Sequence, residues 1–246
     1  MRFTILILAL AASTAALFAP ARAHADPSAD ELMRKYDQLM GPESFESAVR
    51  MTAHREDGTT RAYKMLILKK GDDKLRLTFA EPASMVGQEM LRHGDNTWVY
   101  MPSLKRAVRL INRDSFQGGD FNNADVLRVK YHADYTGMVS ADPAMATAWV
   151  LELKAKTPNA SYDKIKLWLR KADSMPVQGE YYASSGKLLR KAEFSDYKNF
   201  GGLTRPGKIV MRNMLATARY SEMRWETLNI AANPPPTKFG LDDLGK

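Results

Sequence analysis

From about residue 60 onward the chain keeps a two-residue rhythm of apolar and polar side chains, the period of a half-buried strand. In "TRAYKMLILKK", Tyr63, Met65 and Ile67 alternate with Lys64, while Leu66 and Leu68 blur the outer phase. "DKLRLTFA" is cleaner, with Leu75, Leu77 and Phe79 opposite Lys74, Arg76 and Thr78. "WVLELKAK" and "KIKLWLRKA" repeat the pattern, the second setting Ile165, Leu167 and Leu169 against Lys164, Lys166 and Arg170. Turn signals at Asp57-Gly58, Gly71-Asp72-Asp73, Gly94-Asp95-Asn96, Ser185-Gly186 and Gly201-Gly202 separate the runs. The pattern predicts about a dozen strands joined mostly as hairpins. A meander of that length must curl or close to manage its edges. Ahead of it, "SADELMRKYDQLM" changes to helical spacing through Leu32, Tyr36 and Leu39, with Ser28 and Glu31 as a capping box and Gly41-Pro42 as the stop. The tail "NPPPTKFGLDDLGK" cannot enter a central strand. Its Phe239, Leu241 and Leu244 are expected to anchor it across one mouth of the sheet.

The amino-terminal segment differs in kind. Arg2 precedes an apolar run from Phe3 to about Ala19, Pro20 breaks it, and Ala23 and Ala25 give the small-residue spacing of a cleavage site. Residues 1–25 read as a secretory signal peptide cut after Ala25, or alternatively after Ala23. Residues 26–246 are left as a single domain without βαβ alternation or a break in composition. Such an amino-terminal segment predicts export out of the cytoplasm. Loss of Arg2 and Arg22 lowers the formal net charge from +8 to +6, spread along the chain. Outside the cytoplasm the available polyanions are head groups and acidic surfaces, and no nucleic-acid signature is present. The absence of cysteine excludes disulfides, thiolate catalysis and cysteine-based zinc sites. His54, His93 and His132 are scattered without metal-ligand spacing, so no metal and no cofactor are expected.

Enzyme motifs fail on specific residues. "SSGK" (184–187) matches S-x-x-K but lacks the companion elements and reads as a hairpin turn. Neither a G-x-S-x-G elbow nor a Walker-type loop occurs. The unusual stretch "DSFQGGDFNNADVL" (114–127) is excluded as a calcium loop from Asp120. Ala124 stands at position five, Asp125 replaces the obligatory glycine, and Tyr131 falls where a bidentate Glu is required. As a phosphate loop it lacks the lysine, and "GGDF" is too short to make a cyclase signature. Apolar Phe116, Phe121, Val126 and Leu127 are interspersed with Gly118, Gly119 and Asp120, and Asn122 or Asn123 can cap a short helix. The stretch therefore reads either as a lid or as an ordinary loop packed on the core.

Taken in order, these segments resemble a known family. "RHGDNTWVYMPSLKRAVRL" (92–110) is similar to the G-(D/K)-x-x-W-x-Y-x-P segment of LolA-like outer-membrane lipoprotein-sorting proteins. "SFQGGDFNNADVL" resembles the F-x-G-(S/T/G)-D-F segment that follows it, and "RLTFAEPASMVGQEML" fits the strand, turn and strand that precede it. The resemblance covers essentially all of residues 26–246. It implies a mainly β fold with a few helices: an incomplete antiparallel β-barrel closed on its concave side by short helices, with an apolar cavity for acyl chains. It also implies passage of lipoproteins across the periplasm, and an association of some members with RND-type exporters. One departure is plain. The carrier proper has an arginine before a proline that helps hold the lid closed, and the matching place here reads Lys70-Gly71. Lysine lacks the planar bidentate contacts of arginine, so that latch does not carry over.

The physics of a carrier agrees with such a chain. An acyl chain of about a dozen methylenes costs roughly 10 kcal/mol to expose, at about 0.8 kcal/mol each. A methionine-rich lining adapts to such cargo. The expected cavity residues are Met65, Ile67, Leu75, Leu77, Phe79, Trp98 and Tyr100. The expected lid comprises Phe116, Gly118, Gly119, Asp120, Phe121 and Leu127. The resulting expectation is a non-enzymatic, monomeric periplasmic carrier. It would bind lipoprotein acyl chains or free lipid, touch membranes transiently and bind no nucleic acid. The alternative is an adaptor or sensor for an RND-type exporter or an envelope-stress pathway, docking through Lys105, Arg106, Arg109 and Arg113.

Overall fold

The computed structural model describes residues 26–158 and 160–246, so the expected signal peptide lies outside the described residues. Helix α1 (Ala29–Met40) starts as its capping box requires. The Glu31 amide donates to the Ser28 side chain, and the Ser28 amide donates back to Glu31 at 2.8 Å. The helix buries Leu32, Met33, Tyr36 and Met40.

Thirteen antiparallel strands follow. They are β1 (Ser44–His54), β2 (Thr60–Lys70), β3 (Lys74–Glu81), β4 (Glu89–His93), β5 (Asn96–Met101) and β6 (Arg106–Leu110), then β7 (Tyr135–Ala141), β8 (Ala148–Ala155), β9 (Lys164–Arg170), β10 (Pro176–Tyr182), β11 (Leu188–Phe200), β12 (Leu203–Asn213) and β13 (Tyr220–Asn229). They form one sheet, β6-β5-β4-β3-β2-β1-β13-β12-β11-β10-β9-β8-β7. Every neighbouring pair but one is consecutive in the chain. The exception, β1 with β13, joins the two halves and places both edges, β6 and β7, at the ends of the order. The sheet is an incomplete barrel that does not close. Between the two edge strands the chain inserts α2 (Asn123–Leu127) and α3 (Tyr131–Asp134).

Because side chains alternate across a strand, the register assigns each residue to a face. Val49, Met65 and Phe79 are aligned, as are Ile67, Leu77, Met90, Val99 and Val108 in the next row. These inner-face residues join α1, the insert and the inner residues of β9 and β12 in one continuous core. Among the described residues no helix is long and apolar enough to cross a membrane.

The tail behaves differently from expectation. It packs on the outer face instead of crossing a mouth. Phe239 and Leu244 are buried there against Leu91, Leu68, Tyr100 and Ala107. The outward Arg76 and Glu89 pair at 2.5 Å, and Arg76 also donates to the Lys238 and Asp243 carbonyls. Lys70 donates to Asn233 and to the Pro234 carbonyl, which gives it a role in the tail and none in a lid. With three prolines unable to join the ladder, the tail adheres through side chains and these cations instead.

Candidate functional site: the concave face and its insert

Of the residues expected to line a cavity, Met65, Ile67, Leu75, Leu77 and Phe79 are buried on the inner face. Trp98 and Tyr100 are not on it. Trp98 pairs with Arg109 and Tyr100 with Ala107 on the outer face, while Val99 and Thr97 point inward. The reason is register: β5 meets β4 with Val99 opposite Met90, and a one-residue phase difference moves the whole aromatic set outside. Tyr100 closes over the tail, where a Cβ on Gly245 would come within 2.3 Å of its ring.

The insert fills the concave side from above. Phe116 and Phe121 are fully buried, and Phe116 stacks on Phe79 with ring centres 6.2 Å apart. Leu127, on α2, joins the same core. Left-handed backbone at Gln117 (φ 51) and Gly118 (φ 71) makes the tight reversal between the two phenylalanines. Gly119 passes so close to β13 that a Cβ would lie 3.1 Å from Ser221 Oγ.

Asp120 is the anchor. It is 1% exposed and accepts from Ser221 Oγ at 2.9 Å and from Asn213 Nδ2 at 3.1 Å, while its own amide donates to Ser221 Oγ at 2.9 Å. Arg190 donates to its carbonyl. Another carboxylate of the stretch, Asp125, completes a capping box with Asn122 and accepts from Tyr162 Oη at 2.8 Å. Burial outweighs these bonds and pushes the Asp125 carboxyl up to about 6. Both carboxylates hold structure in place.

At one end of the concave space the two other helices meet. Tyr36 of α1 stacks on Tyr131 of α3 at 4.8 Å. Asp37 accepts from the amides of Tyr131 and His132 at 2.7 and 2.9 Å, capping α3, and burial raises it to about 6. The C-terminal end of α1 carries carbonyls that need donors. Lys69 supplies Gly41 and Pro42, and the fully buried Arg205 supplies Met40 at 3.1 Å while stacking over Trp225. These contacts hold α1 where the lysine at position 70 does not.

Two spaces adjoin here. An apolar cavity of about 60 Å³ lies among Tyr36, Ile67, Phe121, Ala124, Met211 and Met223. Outside it opens a polar recess of about 730 Å³ at the mouth. Met40, Phe45, Leu75, Val126 and Val129 line both. The recess is bordered by Lys69, Arg92, Arg128 and Lys130, none of which the strand-pattern reading singled out. A signal was present: Lys69 follows Met65 and Ile67 in phase, and Arg92 follows Met90, so both cations sit on the apolar side of their strands.

The four basic residues expected to form one docking strip do not share a face. Lys105 lies in the left-handed turn before β6 (φ 48), and Arg106 and Arg109 take opposite phases of that strand. Arg113 is tied to Asp163 at 3.2 Å and to the Ala160 carbonyl. An odd spacing along a strand separates charges that look contiguous in sequence. Among the described residues no cluster of three or more His, Asp or Glu could hold a metal ion.

A protein-family model described as "-like: Uncharacterized protein" matches residues 71–246. No curated protein matches the sequence. Solved structures do. A LolA superfamily protein from Nitrosomonas europaea is 26% identical with a TM-score of 0.80, covering 88% of this chain and 99% of its own. A domain from Vibrio parahaemolyticus described as an outer-membrane lipoprotein-sorting protein is 21% identical with a TM-score of 0.75, covering 87% and 97%. A DUF1329 family protein from Desulfovibrio piger is 19% identical with a TM-score of 0.79, covering 88% and 97%. The last two show the shared fold, an open antiparallel sheet with helices on its concave side. The matched family model, that fold and the Nitrosomonas relative together place the chain in the LolA-like superfamily.

Proposed function

We propose that this protein is a periplasmic carrier that takes acyl chains of lipoproteins or lipids between the concave sheet and its helices, assisting their transport to or sorting at the outer membrane. In this reading residues 1–25 direct export and are removed, and residues 26–246 act as one binding unit without catalysis. The observation that carries it is the apolar cavity walled by Ile67, Phe121, Ala124, Met211 and Met223 and adjoining the mouth. Its methionines are unbranched and reshape readily around cargo. At about 60 Å³ it has room for only a few waters and is far smaller than an acyl chain. In this reading the described state is the closed one, and loading would move the insert or α1 outward.

The test is titration of an environment-sensitive acyl probe into the exported protein, beside an Ala124→Leu variant. Ala124 is buried on the cavity wall, so leucine occupies the space a chain would take. Probe affinity should fall at least about fivefold, with a stability change of no more than about 1–3 kcal/mol from overpacking. A folded protein that neither binds the probe nor carries co-purifying lipid by mass spectrometry would overturn the proposal.

A further inference from the structure

The mouth beside α1 concentrates positive charge that acyl binding does not use. Five basic side chains border it: Arg34, Lys69, Arg92, Arg128 and Lys130. Three are already engaged. Arg34 pairs with Asp30 at 2.9 Å, Arg128 pairs with Asp95 and Asp134, and Lys69 donates to the carbonyls at the end of α1. Arg92 and Lys130 have no carboxylate within ion-pair distance among the described residues. Arg92 is 1% exposed, donates through Nη2 to the Asp72 carbonyl at 2.8 Å, and leaves its buried Nε without any acceptor. The acidic residues of the recess do not compensate. Asp37 is engaged by the two α3 amides, and Glu43 and Asp72 are exposed at the rim.

The cations also feel one another. Lys69 is lowered to about 8, Arg92 to about 10, and Lys130 is lowered as well. Burial is the leading cause in each. Repulsion among Lys69, Arg92, Arg128 and Lys130 adds to it, while Glu43, Asp72, Asp73, Asp95 and Asp134 oppose it, Asp72 outweighing the repulsion at Lys69. A buried charge without a partner is costly, and the cost is relieved by a counter-ion.

We propose that this mouth binds a phosphate-type oxyanion, with the half-buried Lys130 contacting it and Arg92 holding it from the wall. The anion is the head of the amphiphile whose chain enters the adjoining apolar cavity, an assignment that rests on the carrier reading. The shared lining of the two spaces supports it, since head and chain would occupy one continuous path. A free phosphate ion offers the same chemistry without the chain, so the experiment must separate the two sources.

Calorimetric titration of the exported protein with dodecyl phosphate, dodecyl maltoside and inorganic phosphate does so. Dodecyl phosphate should bind at least about tenfold tighter than dodecyl maltoside, a difference of about 1.4 kcal/mol. Lys130→Ala and Arg92→Met should each bring that ratio close to one. The ratio is internal to each variant, so a stability loss from changing buried Arg92 does not obscure it, and Lys130 is half exposed. Equal binding of the two amphiphiles overturns the anion site and leaves the carrier reading standing. Inorganic phosphate binding as tightly as dodecyl phosphate, and lost in both variants, keeps the anion site but overturns its assignment to a lipid head. Binding of neither amphiphile overturns the carrier reading and the head-group assignment together.

Discussion

Replacing Asp120 by alanine should cut the insert loose from the sheet while leaving its hydrophobic contacts in place. The side chain accepts two hydrogen bonds inside the protein, from Ser221 at 2.9 Å and Asn213 at 3.1 Å. A hydrogen bond to a charged group nets about 1.5–3 kcal/mol, so their loss amounts to about 3–6 kcal/mol before the site relaxes. One compensation remains. The Asp120 amide still reaches Ser221 Oγ, which leaves the Asn213 amide and the Arg219 guanidinium, 3.7 Å from the carboxylate, as the partners that lose most. A loss of about 3–4 kcal/mol is expected, a large fraction of the 5–15 kcal/mol typical of a domain. Urea unfolding followed by tryptophan fluorescence measures it. Amide exchange should rise across residues 115–122 well before the strands β12 and β13 open, because the anchor joins a local segment to a stable sheet. A double-mutant cycle with Ser221→Ala should show coupling on the order of 1–2 kcal/mol. A destabilisation under about 1 kcal/mol, or additivity within about 0.5 kcal/mol, would refute the anchoring argument. If the insert gates the interior, the same variant should also load the acyl probe faster.

Asp125 gives a pH signature. Its folded-state value of about 6 lies above the ordinary aspartate value of 3.8, so between those pH values the folded protein holds more protons than the unfolded chain, and this group's contribution to stability falls as pH rises. Asp125→Asn mimics the protonated form, so its stability relative to the wild type should increase from pH 4 to pH 6 in paired urea titrations. A constant difference across that window would contradict the assignment. The register makes a second contrast. Tyr100→Ala should destabilise by loosening the tail, yet leave acyl-probe affinity within about twofold. Val99→Asp, on the inner face, should cost about 3 kcal/mol or more from burying a charge and abolish binding in whatever folds. Equal effects of the two on probe binding would show that the faces are assigned wrongly.

The helix at the start, the long run of hairpins and the apolar phase of β2, β3 and β9 were all legible along the chain. Each depends on interactions between residues close in sequence. Ser28 and Glu31 are three residues apart, and Met65, Ile67, Leu75, Leu77 and Phe79 keep strict phase within their strands. The short helix after Asn122 and its capping by Asp125 belong to the same class, because capping is local, whereas the anchoring of Asp120 by Asn213 and Ser221 joins segments far apart in the chain.

What depended on distant partners was not legible. Trp98 and Tyr100 look like lining residues until the pairing of Val99 with Met90 sets the phase of β5, and that pairing is a property of two strands. The expectation of a tail across one mouth rests on three prolines, which say only where a segment cannot go. Its true seat is created by Leu91, Tyr100 and the Arg76–Glu89 pair. The polar mouth was invisible for the same reason, with Lys69, Arg92, Arg128 and Lys130 spread over three separate elements and loops. Periodicity by itself determines which residues of one strand share a face. Only the tertiary structure decides which face is inside and which charges meet there, because both follow from register between segments far apart in the chain.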